Sequence, residues 1–272
     1  MKIGNKKALG IITCMREGFY DEIIDTTPFG DIDKVFVFDS SPIGKKYATT
    51  TDLVEVLPYD ARATIGFAKN RLMERMFSEG YDHIFLQEDD VSITDGDVFD
   101  AYIQTASEFG IWGTLCHAWS GIANFETDGM PKVKNSISVG DTNGVVFTQN
   151  RVAAFSYIHR NIIKAVGYHD EGYQNCWEHI DYYQTQSTKG LANHWGWFVD
   201  IADSRQYIRN IDNGFLESVI RHDAKWADAM RSGAEHFSSK FGCDPLKMPI
   251  ATKDQVLSRT QYLIDNYSIG KK

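Results

Sequence analysis

Three consecutive acids, Glu88-Asp89-Asp90, stand directly after the apolar run His83-Ile84-Phe85-Leu86. An acid triplet repels itself unless a cation or solvent relieves it. At the carboxyl end of a strand in an open α/β sheet, where ligands bind, it suits a hard divalent cation, Mg²⁺ or Mn²⁺, that bridges a diphosphate. Glu88 and Asp90, two residues apart, can turn toward one such ion while phosphate and water supply the remaining ligands. A solvated acidic turn is the plainer alternative, and the apolar strand in front of the triplet weighs against it.

The elements that must position the triplet follow from the hydrophobic pattern. Ala8–Cys14, Lys34–Asp39, Leu53–Leu57 and His83–Leu86 read as strands, and a turn is expected at Arg16-Glu17-Gly18. Thr64–Glu79 has helical spacing and ends at Gly80. Alternating short apolar runs and helical stretches point to an open α/β sheet. Further on, Ile111–His117, Val145–Thr148 and Trp195–Ile201 read as strands, and residues 121–144 as a loop or hairpin. Arg160–Val166 and Trp177–Lys189 read as helices. Past residue 214 the pattern is helical, at Phe215–Ile220, Ala224–Phe241 and Lys253–Tyr267.

Bulk properties narrow the partners. Lys+Arg is 28 against 37 Asp+Glu, a formal charge of −9, so a polyanionic partner would have to be met by a local basic patch. The four cysteines (Cys14, Cys116, Cys176, Cys243) show no CxxC spacing, which indicates neither a zinc site nor a disulfide framework. Nothing approaches the roughly 18 apolar residues of a membrane span, and the apolar stretch after the basic N-terminus is too short for a signal peptide. A cytoplasmic setting is the expectation.

In their order, the segments resemble the family 2 glycosyltransferases of the GT-A fold. The first strand with its polar turn, Ile11 to Glu17, resembles the family's opening strand, and Val35–Ser41 its second. Gly66-Phe67-Ala68-Lys69-Asn70 resembles the helix entrance, and His83–Val91 the strand that ends in the DxD metal motif. Val145–Gly167 with His169-Asp170-Glu171 is similar to the acceptor-side segment. Trp177-Glu178-His179-Ile180-Asp181, with Gly190 closing its helix, resembles the acidic stretch that carries the base. The match covers roughly residues 8 to 205.

The resemblance implies an α/β, GT-A (Rossmann-like) mixed open sheet flanked by helices, with a helical C-terminal appendage. It places a glycosyltransferase domain at 1–213, with a nucleotide-sugar half at about 1–91 and an acceptor half at about 92–213, and a helical extension at 214–272. It implies a metal-dependent, inverting transferase that uses a nucleotide-diphosphate sugar, a UDP-sugar first among them. The acceptor would be a glycan hydroxyl or a hydroxymethylated base in phage DNA. On the donor side it points to Thr13, Arg16, Asp39, Lys69, Asn70, Glu88 and Asp89. Asp39 would meet the base or ribose, Lys69 a phosphate or base, and Asn70 would cap or brace a loop. The metal would rest on Glu88 and Asp90, with a distant His completing the shell: His222, or His194 as the other candidate. Lys69 is equally readable as a solvated helix-face lysine, and Asp39 as part of an ordinary turn.

Two positions depart from the family pattern. Glu88 stands where the metal motif begins with Asp, a swap of one carboxylate for another. His179 stands where the acidic pair has its Asp, which leaves the base open among Glu178, His179 and Asp181. Glu178 and Asp181 share a helical face and His179 is turned about 100° away. Asp181 is set slightly ahead of Glu178, with His179 as positioning group or alternative base. Acids at a helix start also serve simply to meet backbone N–H groups. Two other classes fit the same sheet: a nucleotidyltransferase that makes nucleotide sugars, or a non-catalytic nucleotide-sugar-binding module. The first predicts a glycine-rich loop after the opening strand, and Met15-Arg16-Glu17-Gly18 is poor in glycine.

Overall fold

The apolar runs at Lys7–Thr13 (β1), Lys34–Asp39 (β2) and His83–Glu88 (β4) lie side by side as parallel strands, with β1 in the middle. All three are buried along nearly their whole length, which is why they read as continuous rather than alternating apolar sequence. The short strand β3 (Val54–Val56) joins β2, and β9 (Phe155–His159) and β6 (Leu115–Cys116) add antiparallel beyond β4. The sheet runs β3-β2-β1-β4-β9-β6. This computed structural model describes residues 4–61, 63–113, 115–120, 136–140, 144–149, 154–212 and 221–269.

Register sets the level at which the parallel strands stop. Ile12 lies opposite Glu88 and Thr13 opposite Asp39, so the loops after β1, β2 and β4 emerge along one edge. Helix α2 (Ile65–Ser78) packs closely over β1. A Cβ on Gly10 would stand 3.0 Å from Met76 Cε and 3.2 Å from Leu72 Cβ, so a larger residue would make these neighbours give way by a few tenths of an ångström. The helix begins where Thr64 accepts from the Phe67 amide, as an N-cap should.

Two smaller sheets complete the molecule. One has the order β10 (Phe198–Ile201), β8 (Val145–Thr148), β7 (Ser136–Val139); the other pairs β11 (Ile208–Asn210) with β5 (Val91–Ile93). The remaining helices are α1 (Glu17–Thr26), α3 (Val98–Phe109), α4 (Arg160–Val166), α5 (Glu178–Thr188), α6 (Trp226–Phe241) and α7 (Lys253–Tyr267). The last of these is joined to the main core through Val256 and Leu263, and Trp112 donates to the Tyr267 carbonyl. No described helix is long and apolar enough to cross a membrane.

Several expectations are corrected. Glu17 and Gly18 do not form a turn but open α1. The strand expected over Ile111–His117 shrinks to Leu115–Cys116, and the one at Trp195–Ile201 starts only at Phe198, because Gly196 takes a left-handed backbone (φ 82°). Helix α3 and strands β5, β9 and β11 went unread. The helix expected at Phe215–Ile220 lies outside the described residues, as does most of the expected loop at 121–144, within which Ser136–Val139 is a strand.

A buried carboxylate ties the sheet of β10, β8 and β7 to α3. Asp200 on β10 accepts from Tyr102 Oη (2.7 Å) and Ile201 N (2.8 Å) on one oxygen, and from Ser204 Oγ (2.6 Å) and Ala118 N (2.8 Å) on the other. Burial pushes it up to about 7, and those four donors work in the opposite direction. Replacing Asp200 with Ala leaves these donors without their acceptor. The expected loss of at least about 3 kcal/mol is read from urea denaturation, and an unchanged midpoint would contradict it.

Candidate active site

The acids of the sheet edge are held by two basic side chains, each shared between two carboxylates. Lys69 on α2 is 1% exposed, and its Nζ lies 2.8 Å from Glu88 Oε1 and 3.2 Å from Glu178 Oε1. Burial would pull this ammonium down, but Glu88 and then Glu178 outweigh it and hold it above the ordinary lysine range. Burial would likewise raise Glu178; Lys69 and then His179 reverse that and keep it well below the usual carboxylate range. The reading of Lys69 as a solvated helix-face residue is therefore corrected.

Arg16, in the turn after β1, is the second. Its Nη1 lies 2.9 Å from Asp89 Oδ1 and its Nη2 3.0 Å from Asp212 Oδ2, with the guanidinium over the Phe19 ring. The other Asp89 oxygen accepts from Thr13 Oγ1 (2.9 Å) and the Cys14 amide (3.1 Å). Burial raises the Asp89 carboxyl, and Arg16 opposes it. Thr13, Arg16 and Asp89, all expected on the donor side, are thus bound to one another. Asp212 went unread because Ile211-Asp212-Asn213-Gly214 carries the signature of a plain turn. The acid behind Arg16 was visible only through the pairing of β11 with β5.

Asp90 differs from its neighbours. Burial, then the charges of Glu88 and Asp89, push it up to about 7, and its buried Oδ1 has no hydrogen-bond partner. That orphaned oxygen, within an all-oxygen donor set, fits a hard divalent cation. Among the described residues, no group of three or more His, Cys, Asp or Glu gathers as a metal site, so the expected set of Glu88, Asp90 and His222 is not brought together.

The remaining expected residues fall as follows. Asp39 is buried, and its carboxylate accepts from the amides of Ser41 (2.8 Å), Tyr47 (3.1 Å) and Ala48 (3.4 Å), so it shapes the loop after β2. Tyr47 from that loop reaches Thr13 Oγ1. Asn70 is spent on the 167–172 turn: it donates to His169 O and Glu171 Oε1 and accepts from His169 N, all at 2.8 Å, and is a brace rather than a donor contact. His222 is exposed in the turn before α6, and His194 lies beside α7, next to Trp195, Ile250 and Gln255 around a cavity of about 260 Å³.

At the start of α5 the two acids turn to different partners. Asp181 is buried against α6: its Oδ1 pairs with Lys240 at 2.7 Å and its Oδ2 accepts from Tyr173 Oη at 2.8 Å. Glu178 points instead to Lys69. A three-residue spacing puts two side chains on one helix face but leaves each free to lean toward its own partner. His179, whose side chain is 23% exposed, keeps Nδ1 3.2 Å from Glu178 Oε1.

The turn before α5 is strained. Asn175 (φ 63°) and Trp177 (φ 68°) both take left-handed backbone, which Asn tolerates and which is costly for a side chain as bulky as Trp. Helix α6 holds them there. Trp177 Nε1 donates to Met230 O (3.0 Å) and Cys176 Sγ to Ala229 O (3.0 Å). A Cβ on Gly233 would come 2.7 Å from Trp177 Cδ1. Asn175 Oδ1 also accepts from the Ile65 amide at the start of α2, which locks the turn to the helix that carries Lys69.

No family model matches the chain, and no curated protein matches it in sequence. Among solved structures, Staphylococcus aureus TarS is similar over 97% of this chain and 44% of its own, at 14% identity and a TM-score of 0.54. Its 1–349 portion is similar over 96% of this chain and 81% of that one, at 13% identity and a TM-score of 0.50. The fold is that of a GT-A glycosyltransferase. The chain spans less than half the length of full TarS. A mannosyltransferase from Pyrobaculum calidifontis, in complex with GDP-Man and Mn²⁺, is similar over 69% of this chain and 54% of its own, at 13% identity and a TM-score of 0.46.

Lys69→Met leaves the buried Glu178 and the partly buried Glu88 without their cation, a change expected to cost about 3–5 kcal/mol near pH 7. Glu178 has a lowered folded pKa, so its contribution is present above the unfolded value and lost as pH falls. The gap between variant and wild type should therefore narrow below about pH 4.5, near the ordinary Glu pKa. Urea denaturation at pH 7 and pH 3.5 checks this; an equal penalty at both would assign the loss to packing.

Proposed function

We propose that this chain transfers a sugar from a nucleotide-diphosphate sugar to an acceptor hydroxyl, with a divalent cation, Mn²⁺ or Mg²⁺, at the acidic edge. The observation that carries the reading is the joining of Glu88-Asp89-Asp90 to the start of α5 through Lys69, on the carboxyl side of the parallel strands. When bound, such a cation supplies charge neutralisation for the leaving diphosphate. The loop shaped by Asp39, with Tyr47, would receive the nucleoside. UDP-sugars, followed by GDP-sugars, are the donors to test first.

His179 is the base in this reading. Glu178 is pinned as an anion by Lys69 and buried, which makes it a weak and poorly reached proton acceptor. With Nδ1–H donating to Glu178 Oε1, the His179 Nε2 lone pair is left for the acceptor. Nε2 takes the hydroxyl proton as the oxygen bonds to the anomeric carbon and the bond from that carbon to the diphosphate oxygen breaks. Glu178 stabilises the imidazolium that results. A single displacement inverts the anomeric centre. The acceptor is a glycan or, as the other candidate, a hydroxymethylated DNA base, and a panel with both separates them.

Release of nucleoside diphosphate from UDP- and GDP-sugars, with Mn²⁺ or in EDTA, tests the reading. Full activity in EDTA would remove the metal, pyrophosphate release from a nucleoside triphosphate supplied with a sugar 1-phosphate would favour a nucleotidyltransferase, and donor binding without turnover a binding module. His179→Asn should lower kcat by about 10²–10⁴-fold, flatten the rising limb of the pH–rate profile and leave donor binding intact. Asp181→Asn should act mainly on stability. Near-normal turnover for both His179→Asn and Glu178→Gln would move the base elsewhere.

Asp39→Ala loosens the loop that receives the nucleoside and should raise the donor KM more than it lowers kcat. Steady-state kinetics read the split; a pure kcat defect would move Asp39 into the chemistry.

A further inference from the structure

Five carboxylates meet at the sheet edge, and only two basic side chains are shared among four of them. Glu88 and Glu178 divide Lys69; Asp89 and Asp212 divide Arg16. Asp90 has neither. The second oxygen of Asp89 is supplied by Thr13 and the Cys14 amide, but Oδ1 of Asp212 is buried with no partner, just as Oδ1 of Asp90 is. The Asp212 side chain is only 5% exposed, so water does not wash over this oxygen. A buried carboxylate oxygen left bare is expensive, and here two of them belong to adjoining residues. Strand β11 pairs with β5 so that Asn210 lies opposite Val91, and the amides of Ile211 and Asp212 approach the Asp90 carbonyl at 3.0 and 3.5 Å.

We propose that the carboxylates holding the cation in this chain are Asp90 and Asp212, brought together by the β5–β11 pairing. Two carboxylates with phosphate and water completing the shell is a common way to hold Mg²⁺ or its like. Arg16 then serves a second purpose, because it fixes the outer oxygen of Asp212 and leaves the inner one for the ion. The role implied for His222 passes to Asp212. The assignment deepens the proposed function and rests on it only for what the cation is used for.

Mn²⁺ alone, titrated into the full chain and followed by electron paramagnetic resonance, is the test. Wild type should bind one Mn²⁺; Asp212→Asn and Asp90→Asn should each weaken it at least tenfold, and His222→Ala should not. In EDTA, Asp212→Asn should melt no lower than wild type, since it removes like charge while keeping an acceptor for Arg16, and Mn²⁺ should no longer raise its Tm. Unaltered Mn²⁺ affinity in Asp212→Asn overturns the proposal, as does a wild type that binds no Mn²⁺ at millimolar concentration. If Asp212→Asn fails to fold, paramagnetic broadening in wild type decides: the Asp90 and Asp212 amide signals should vanish first, and earlier loss of the His222 signals overturns the assignment. Mn²⁺ bound at this pair with no turnover of any donor would sink the transferase reading and leave the site standing.

Discussion

A single ammonium group organises the centre of this molecule. Lys69 comes from a helix, Glu88 from the end of a central strand and Glu178 from the first turn of another helix, and all three meet at one buried nitrogen. Such an arrangement is costly to bury and gives little net stability. What it gives is position: α2, β4 and α5 cannot shift independently without stranding a charge. The rest of the fold serves that meeting. Gly10 lets α2 descend onto β1, and the parallel register brings Glu88 level with the end of β1. Asn175 fastens the turn before α5 to the first amide of α2.

The second shared cation acts in the same way on the other side of the acid triplet. Arg16 draws the turn after β1, the turn after β4 and the end of β11 together. Both bridges lie at the carboxyl ends of the strands, where the sheet opens, so the negative charge of the edge is partly compensated and rigidly placed before any ligand arrives. Preorganisation of this kind lets an electrostatic site act without rearranging during the reaction.

The parallel half of the sheet could be read directly, because strands buried on both faces are written as unbroken apolar runs, as in β1, β2 and β4. The acid triplet was legible for the same reason: it interrupts such a run. Helix α3 has its period in the sequence, at Val98, Tyr102, Ala106 and Phe109, but polar Asp100, Gln104 and Glu108 dilute it. Strands β5 and β11 have three residues each and are defined by their pairing, which no local pattern encodes. Lys69 and Asp212 show the same limit within the site. A lysine on an amphipathic helix and an aspartate in a turn look solvated until the third element that buries them is in place. Asp181 shows it too: its partner Lys240 lies 59 residues further along, and no local pattern pairs them.

The buttressing of the turn before α5 has a consequence for the growing chain. The groups that hold Cys176 and Trp177 in place belong to Ala229 and Met230, 53 residues later. At ribosomal speeds of about 5–20 residues per second, that interval is about 3–10 s. Through it, the emerging polypeptide already has every strand of the central sheet and both partners of Lys69, while the hold of α6 on Cys176 and the left-handed Trp177 is still missing. In the nascent molecule, the tie of this turn to α2 is therefore available before the tie to α6.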